Sequence, residues 1–180
     1  MGIRPTPTLW ATFAAVIALS LPGVATSQGT SRSGDKATTQ RKGSGLPIPR
    51  FASLRSDEVN VRAGPGTRYP IEWVFKRKAL PVEIVAEYEN YRKIRDWQGA
   101  SGWVHQSLLS GKRSFIVASK AASVHKTPAV AAEVVAKLEP EVMGEIRSCT
   151  GDWCRVRVSN VSGWIQRTSM WGVYKSEPIN

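Results

Sequence analysis

The chain has 180 residues, one ordinary domain or two very small ones, and 42% of them are hydrophobic, which excludes wholesale disorder. Lys and Arg number 25 against 14 Asp and Glu, a net charge of +11; such an excess favours acidic polymers or surfaces and says nothing about fold. Gly (15) and Pro (11) separate short apolar runs, which suits a turn-rich β protein and argues against a helical one.

The N-terminus sets the expected compartment. Arg4 is the only charge before an apolar run over residues 9–21. A run of 13 residues is too short for a bilayer, which needs about 20. Pro22-Gly23 breaks it, and Gly23-Val24-Ala25 supplies the small residues that a signal peptidase reads. Residues 1–25 are therefore expected to be a signal peptide cut after Ala25. The mature chain would be periplasmic or secreted, without a transmembrane segment. Its acidic partners there would be envelope polymers rather than nucleic acid.

Residues 26–50 read as a basic linker, with five basic side chains and one acidic. Up to residue 45 they include no large apolar side chain, so nothing offsets the entropy of ordering them. Strands are expected at 59–62, 71–75, 82–87, 91–95 and 102–105, joined by short turns. A second series is expected at 115–124, 134–138, 142–147, 153–158 and 163–166. The two series correspond. Tyr91-Arg92-Lys93-Ile94-Arg95 matches Trp153-Cys154-Arg155-Val156-Arg157, and Gly102-Trp103-Val104 matches Gly163-Trp164-Ile165. Val61-Arg62-Ala63-Gly64-Pro65 matches Val124-His125-Lys126-Thr127-Pro128 more loosely. The shifts of 62, 61 and 63 residues point to a duplicated module of about 60 residues. The expected divisions are 51–113 and 114–180. The short connection at 112–115 predicts that the modules pack side by side.

The first module opens with Asn60-Val61-Arg62-Ala63-Gly64-Pro65, followed by Tyr69-Pro70, and closes with Gly102-Trp103-Val104. These residues resemble the bacterial Src-homology-3-like domain family. The second module keeps Pro128 and Gly163-Trp164-Ile165 but lacks the opening signature, and looks like a diverged copy. The resemblance implies an all-β chain of two tandem small Src-homology-3-like β-barrels after the signal peptide and linker. It also implies a non-catalytic binding role, directed at cell-wall peptidoglycan or its stem peptides. The competing expectation is a scaffold that binds a peptide of another envelope protein.

Cys149 and Cys154 are the only cysteines, and an even count in an exported chain suggests a disulfide. With Gly151-Asp152 as a type II′ hairpin loop, Cys149 and Cys154 face each other as a non-hydrogen-bonded pair, close enough to bridge. The same positions in the first module hold Glu87 and Arg92, an opposite-charge pair expected to contribute at most about 1 kcal/mol.

Two histidines without a motif and scattered acidic residues offer no nucleophile–base pair, no catalytic carboxylates and no metal set, so neither enzyme nor cofactor is expected. Lys76-Arg77-Lys78 reads as a solvated turn. Trp103 and Trp164 are expected to fill the cores, whereas Trp97, in a polar hairpin loop, should be harder to bury. The expected ligand site comprises Asn60, Arg62, Tyr69 and Trp97, with Arg68 and Arg95 as anion partners.

Overall fold

The computed structural model describes residues 43–118 and 120–180. The expected signal peptide and most of the linker lie outside them. The first barrel contains β1 (Arg50–Leu54), β2 (Val59–Arg62), β3 (Ile71–Phe75), β4 (Pro81–Tyr88), β5 (Tyr91–Arg95), β6 (Ser101–His105) and the short β7 (Leu109–Ser110). They form one antiparallel sheet in the order β3-β2-β6-β5-β4-β1-β7. The second contains β8 (Ser114–Ile116), β9 (Ala122–His125), β10 (Val134–Leu138), β11 (Met143–Thr150), β12 (Trp153–Val158) and β13 (Val161–Gln166), ordered β10-β9-β13-β12-β11-β8.

Alternation builds each core. Val59, Val61, Ile94 and Val104 point inward in the first barrel, and Val124, Ile146, Val156 and Ile165 in the second. Gly102 and Gly163 sit where the neighbouring strand crosses closest. A Cβ on Gly102 would come within 2.4 Å of Val61 Cγ1, and one on Gly163 within 2.6 Å of His125 O. The Gly-Trp pair is thereby explained: glycine takes the crowded inward place, and the following tryptophan faces out.

The expected strand at 115–124 is two strands. β8 pairs with β11 and β9 with β10 and β13, so the run supplies opposite sides of one sheet. β1 and β7 are also absent from the expected set; β1 is buried at four successive residues and so shows no alternation. All of Phe115, Ile116 and Val117 are buried because β8 serves two cores: Phe115 and Val117 enter the second, Ile116 the first. A strand covered on both faces reads as a continuous apolar run, which hides its period.

The barrels pack side by side, as the short connection predicts. Phe51 meets Trp171 edge-to-face with ring centroids 4.8 Å apart, and Tyr174 at 4.6 Å. Tyr174 Oη donates to Glu83 Oε1 at 2.7 Å, Arg113 pairs with Glu177, and Arg77 donates to the Glu141 carbonyl at 3.0 Å. Arg77 therefore bridges the barrels instead of being merely solvated. Among the described residues, no helix is long and apolar enough to cross a membrane.

The expected hairpin and disulfide are both present. Thr150 faces Trp153, Cys149 faces Cys154 with Cα atoms 4.0 Å apart, and Gly151 has φ 54°. In the first barrel Glu87 faces Arg92, and their side chains meet at 3.1 Å. This pair is more than the surface contact expected. Both side chains are buried, and Arg50 and Ser44 also bond Glu87.

Candidate functional site

The outward residues of β2, β6 and β5 form the candidate surface. Their registers place Arg62 beside Trp103 and Trp103 beside Lys93, with His105 beside Tyr91. Cross-strand partners of this kind lie about 5 Å apart at Cβ, so a half-exposed indole sits between two cations. Tyr91 and His105 stack edge-to-face at 5.3 Å. Asn60 is exposed on β2, on the same side as Arg62.

The loop after β2 is held from beneath by Arg62. Its Nη1 donates to the Tyr69 carbonyl at 2.8 Å and the Thr67 carbonyl at 3.3 Å. The Tyr69 ring lies over Gly64, where a Cβ would meet ring carbon Cδ1 at 2.4 Å. Arg68 sits over the same ring, 5.1 Å from its centroid, and its Nη2 donates to Tyr69 Oη at 3.3 Å. Gly64 is thus required by Tyr69, and Tyr69 is presented with a guanidinium beside it.

The second barrel repeats this frame with different chemistry. Its loop keeps the same backbone bonds: Lys126 N to Glu133 O and Ala132 N to Ala129 O correspond to Ala63 N to Pro70 O and Tyr69 N to Gly66 O. His125 takes the place of Arg62, with Nδ1 3.1 Å from the Ala132 carbonyl. Trp164 faces His125 and Arg155, and Trp153 stacks edge-to-face on His125 at 5.2 Å. Thr127 replaces Gly64 and Ala132 replaces Tyr69: without the ring, glycine is no longer needed. Val130 at the loop tip is 74% exposed.

Residues 55–111 and 118–172 each match the family model described as the bacterial SH3 domain. The chain belongs to this family. One curated relative is "Putative N-acetylmuramoyl-L-alanine amidase YrvJ" of Bacillus subtilis (strain 168), 24% identical over 125 residues. The match covers 63% of this chain and spans about a quarter (24%) of that protein's length. Among solved structures, NlpC2 from Trichomonas vaginalis is 12% identical with a TM-score of 0.34, covering 73% of this chain and 51% of that one. NlpC1 from the same organism is 11% identical with a TM-score of 0.32, covering 74% and 49%.

On the first SH3 barrel, the residues singled out from the sequence divide into two groups. Arg62, Arg68 and Tyr69 come together at the loop, with Asn60 on the strand that leads to it. Arg95 and Trp97 have other engagements. Arg95 Nε donates to buried Glu83 at 2.9 Å. Trp97 is half-buried and packs against the core rather than standing free in its loop. Its turn is drawn tight by Asp96, whose Oδ1 accepts from the backbone N–H groups of Gln98 and Ala100. Trp103 and Trp164 are not core residues; they are half-exposed on the outward faces. Trp103, Lys93, Tyr91 and His105 share this surface but are not among the residues singled out from the sequence. The signal for them was strict alternation, with Gly102 and Val104 already holding the inward places.

Electrostatics fix the frame behind this surface. Burial pushes the Glu87 carboxyl up, but hydrogen bonds from Ser44 and Arg50 hold it down at about 2. Burial and the neighbouring Glu83 carboxylate push the Tyr174 hydroxyl up. Burial acts against the Glu177 carboxylate, yet the Arg113 guanidinium brings it below the usual range. Among the described residues, no three His, Cys, Asp or Glu side chains gather as metal ligands.

Proposed function

We propose that this chain is a non-catalytic, exported module that binds cell-wall peptidoglycan or its stem peptides through the outward face of the first barrel. The carrying observation is the run Arg62–Trp103–Lys93 beside Tyr69 and Arg68. Half-exposed rings offer apolar faces for a sugar ring or peptide, and the adjacent cations offer hydrogen bonds to carboxylates. Arg62 holds the loop and Tyr69 and Trp103 contact ligand. Membership of the bacterial SH3 family and the distant likeness to a putative N-acetylmuramoyl-L-alanine amidase support an envelope role. The basic segment 26–50, at net +4, adds electrostatic attraction to anionic polymer.

A second reading draws on the second barrel. Exposed Val130 and Val135, where the first barrel has Thr67 and Glu72, favour a peptide of another envelope protein as its partner.

Co-sedimentation of residues 26–180 with purified sacculi, across a salt series, tests the main reading. Binding should persist at physiological salt and fall sharply in a Tyr69→Ala, Trp103→Ala double variant that keeps its thermal unfolding. Binding that vanishes at moderate salt would leave only attraction by the basic segment, since exposed charges are screened beyond about 8 Å.

A further inference from the structure

Between the barrels lies a cleft of about 670 Å³ that shares no residue with the outward face. Its walls include apolar Ala79 and Met143, and its rim carries Arg55, Lys78, Lys112 and Arg113 against one carboxylate, Glu145. Glu145 is already held by Arg147 at 2.9 Å and Arg157 at 3.5 Å. Arg113 is neutralised by Glu177. Arg55, Lys78 and Lys112 form no ion pair among the described residues. The cleft is therefore a basic rim around an apolar wall.

A second, independent observation marks the same place. Ser114 lines the cleft, is 6% exposed, and its Oγ has no hydrogen-bond partner; Arg113 Nε beside it is also buried and unpartnered. Buried polar atoms are almost always bonded, so an unpartnered hydroxyl on a residue that lines the cleft marks it as a place a ligand group could complete. Ser53, on the opposing barrel, does not supply the missing partner, because its Oγ donates to the Lys112 carbonyl at 2.8 Å.

We propose that this inter-barrel cleft binds the carboxylate of a short peptide. Lys78, Lys112 and Arg55 attract the anion, Ser114 Oγ donates a hydrogen bond, and Ala79 and Met143 receive an apolar side chain. The mixture of apolar wall and cationic rim favours a carboxylate carried on a peptide over a fully hydrated inorganic anion, which gains nothing from Ala79 and Met143. The site uses both barrels, so neither module alone could form it.

The test is a titration of the ¹⁵N-labelled chain, followed by amide resonances, with N-acetyl-alanyl-alanine, its C-terminal amide, and inorganic phosphate. The acid should give saturable shifts clustered at residues 53–55, 110–114 and 143–145. The amide should bind at least tenfold more weakly, and so should the acid to a Lys78→Glu, Lys112→Glu variant. Both lysines are exposed, so a well-dispersed spectrum from that variant is expected. Absence of saturable shifts, equal binding of acid and amide, shifts as strong with phosphate, or unchanged affinity in the charge-reversed variant would each overturn the proposal. The Tyr69→Ala, Trp103→Ala variant should keep these shifts in full. An unmutated chain that gives the cleft shifts but does not bind sacculi counts against the outward face alone, and one that binds sacculi without saturable cleft shifts counts against the cleft alone.

Discussion

Replacing Glu87 by Gln should destabilise the chain strongly at neutral pH and hardly at all in strong acid. Glu87 accepts from Ser44 and Arg50 and pairs with Arg92, and its side chain is only 9% exposed. Its carboxyl titrates at about 2 instead of 4.5. At about 1.36 kcal/mol per pH unit, that difference corresponds to about 3 kcal/mol, which agrees with the ~3–5 kcal/mol cost of removing one partner from a buried ion pair. The sign follows from the depressed folded pKa. The contribution is complete above 4.5 and is lost as pH falls from there towards 2. Urea unfolding of both forms at pH 7, 4.5, 3.5 and 2 measures it, and groups common to both chains cancel in the difference. The gap should be about 3 kcal/mol at pH 7 and close towards pH 2. A gap that stays constant with pH, or one below ~1 kcal/mol at pH 7, would refute the reasoning.

Reduction of Cys149–Cys154, or their joint replacement by Ala, should lower stability by about 2 kcal/mol on the chain-entropy estimate for so short a loop, read as a shift in urea midpoint. Gly102→Ala should cost about 1–3 kcal/mol by overpacking Val61, while Trp103→Ala, on the next residue, should leave the unfolding midpoint nearly unchanged; calorimetry separates the two. Tyr174→Phe removes the hydroxyl that donates to Glu83 across the barrels and should cost about 1–2 kcal/mol, because a buried carboxylate loses a donor; a change under ~0.3 kcal/mol would show that this contact contributes nothing.

The duplicated frame was legible because it is written locally. The Gly-Trp pairs, the hairpin at Gly151-Asp152 and the facing positions 87/92 and 149/154 follow from alternation and turn chemistry. Trp103 and Trp164 face out, against the expectation from their size, because register decides: Val104 and Ile165 fill the cores, and the adjacent tryptophans must point the other way. Trp97 departs from expectation in the opposite direction. A polar loop suggests exposure, but Asp96 curls that turn back onto the core. The role of β8 was invisible, since a strand shared by two cores shows no period. The equivalence of Arg62 and His125 was also hidden. Both bond the carbonyl of the residue seven positions on, a function two dissimilar side chains can perform.

Ile116 belongs to one barrel's strand and the other barrel's core, while Tyr174 and Trp171 clasp Phe51 from the far side. The two outward faces are therefore held at a set spacing instead of trailing on a tether. A repeating polymer captured by one face meets the second with no search and no linker entropy to overcome, so its effective concentration there depends only on whether its repeat matches that spacing. If both faces bind the wall polymer proposed above, the pair of barrels gauges ligand periodicity, and lengthening the connection at Lys112 should erase that discrimination before it erases binding.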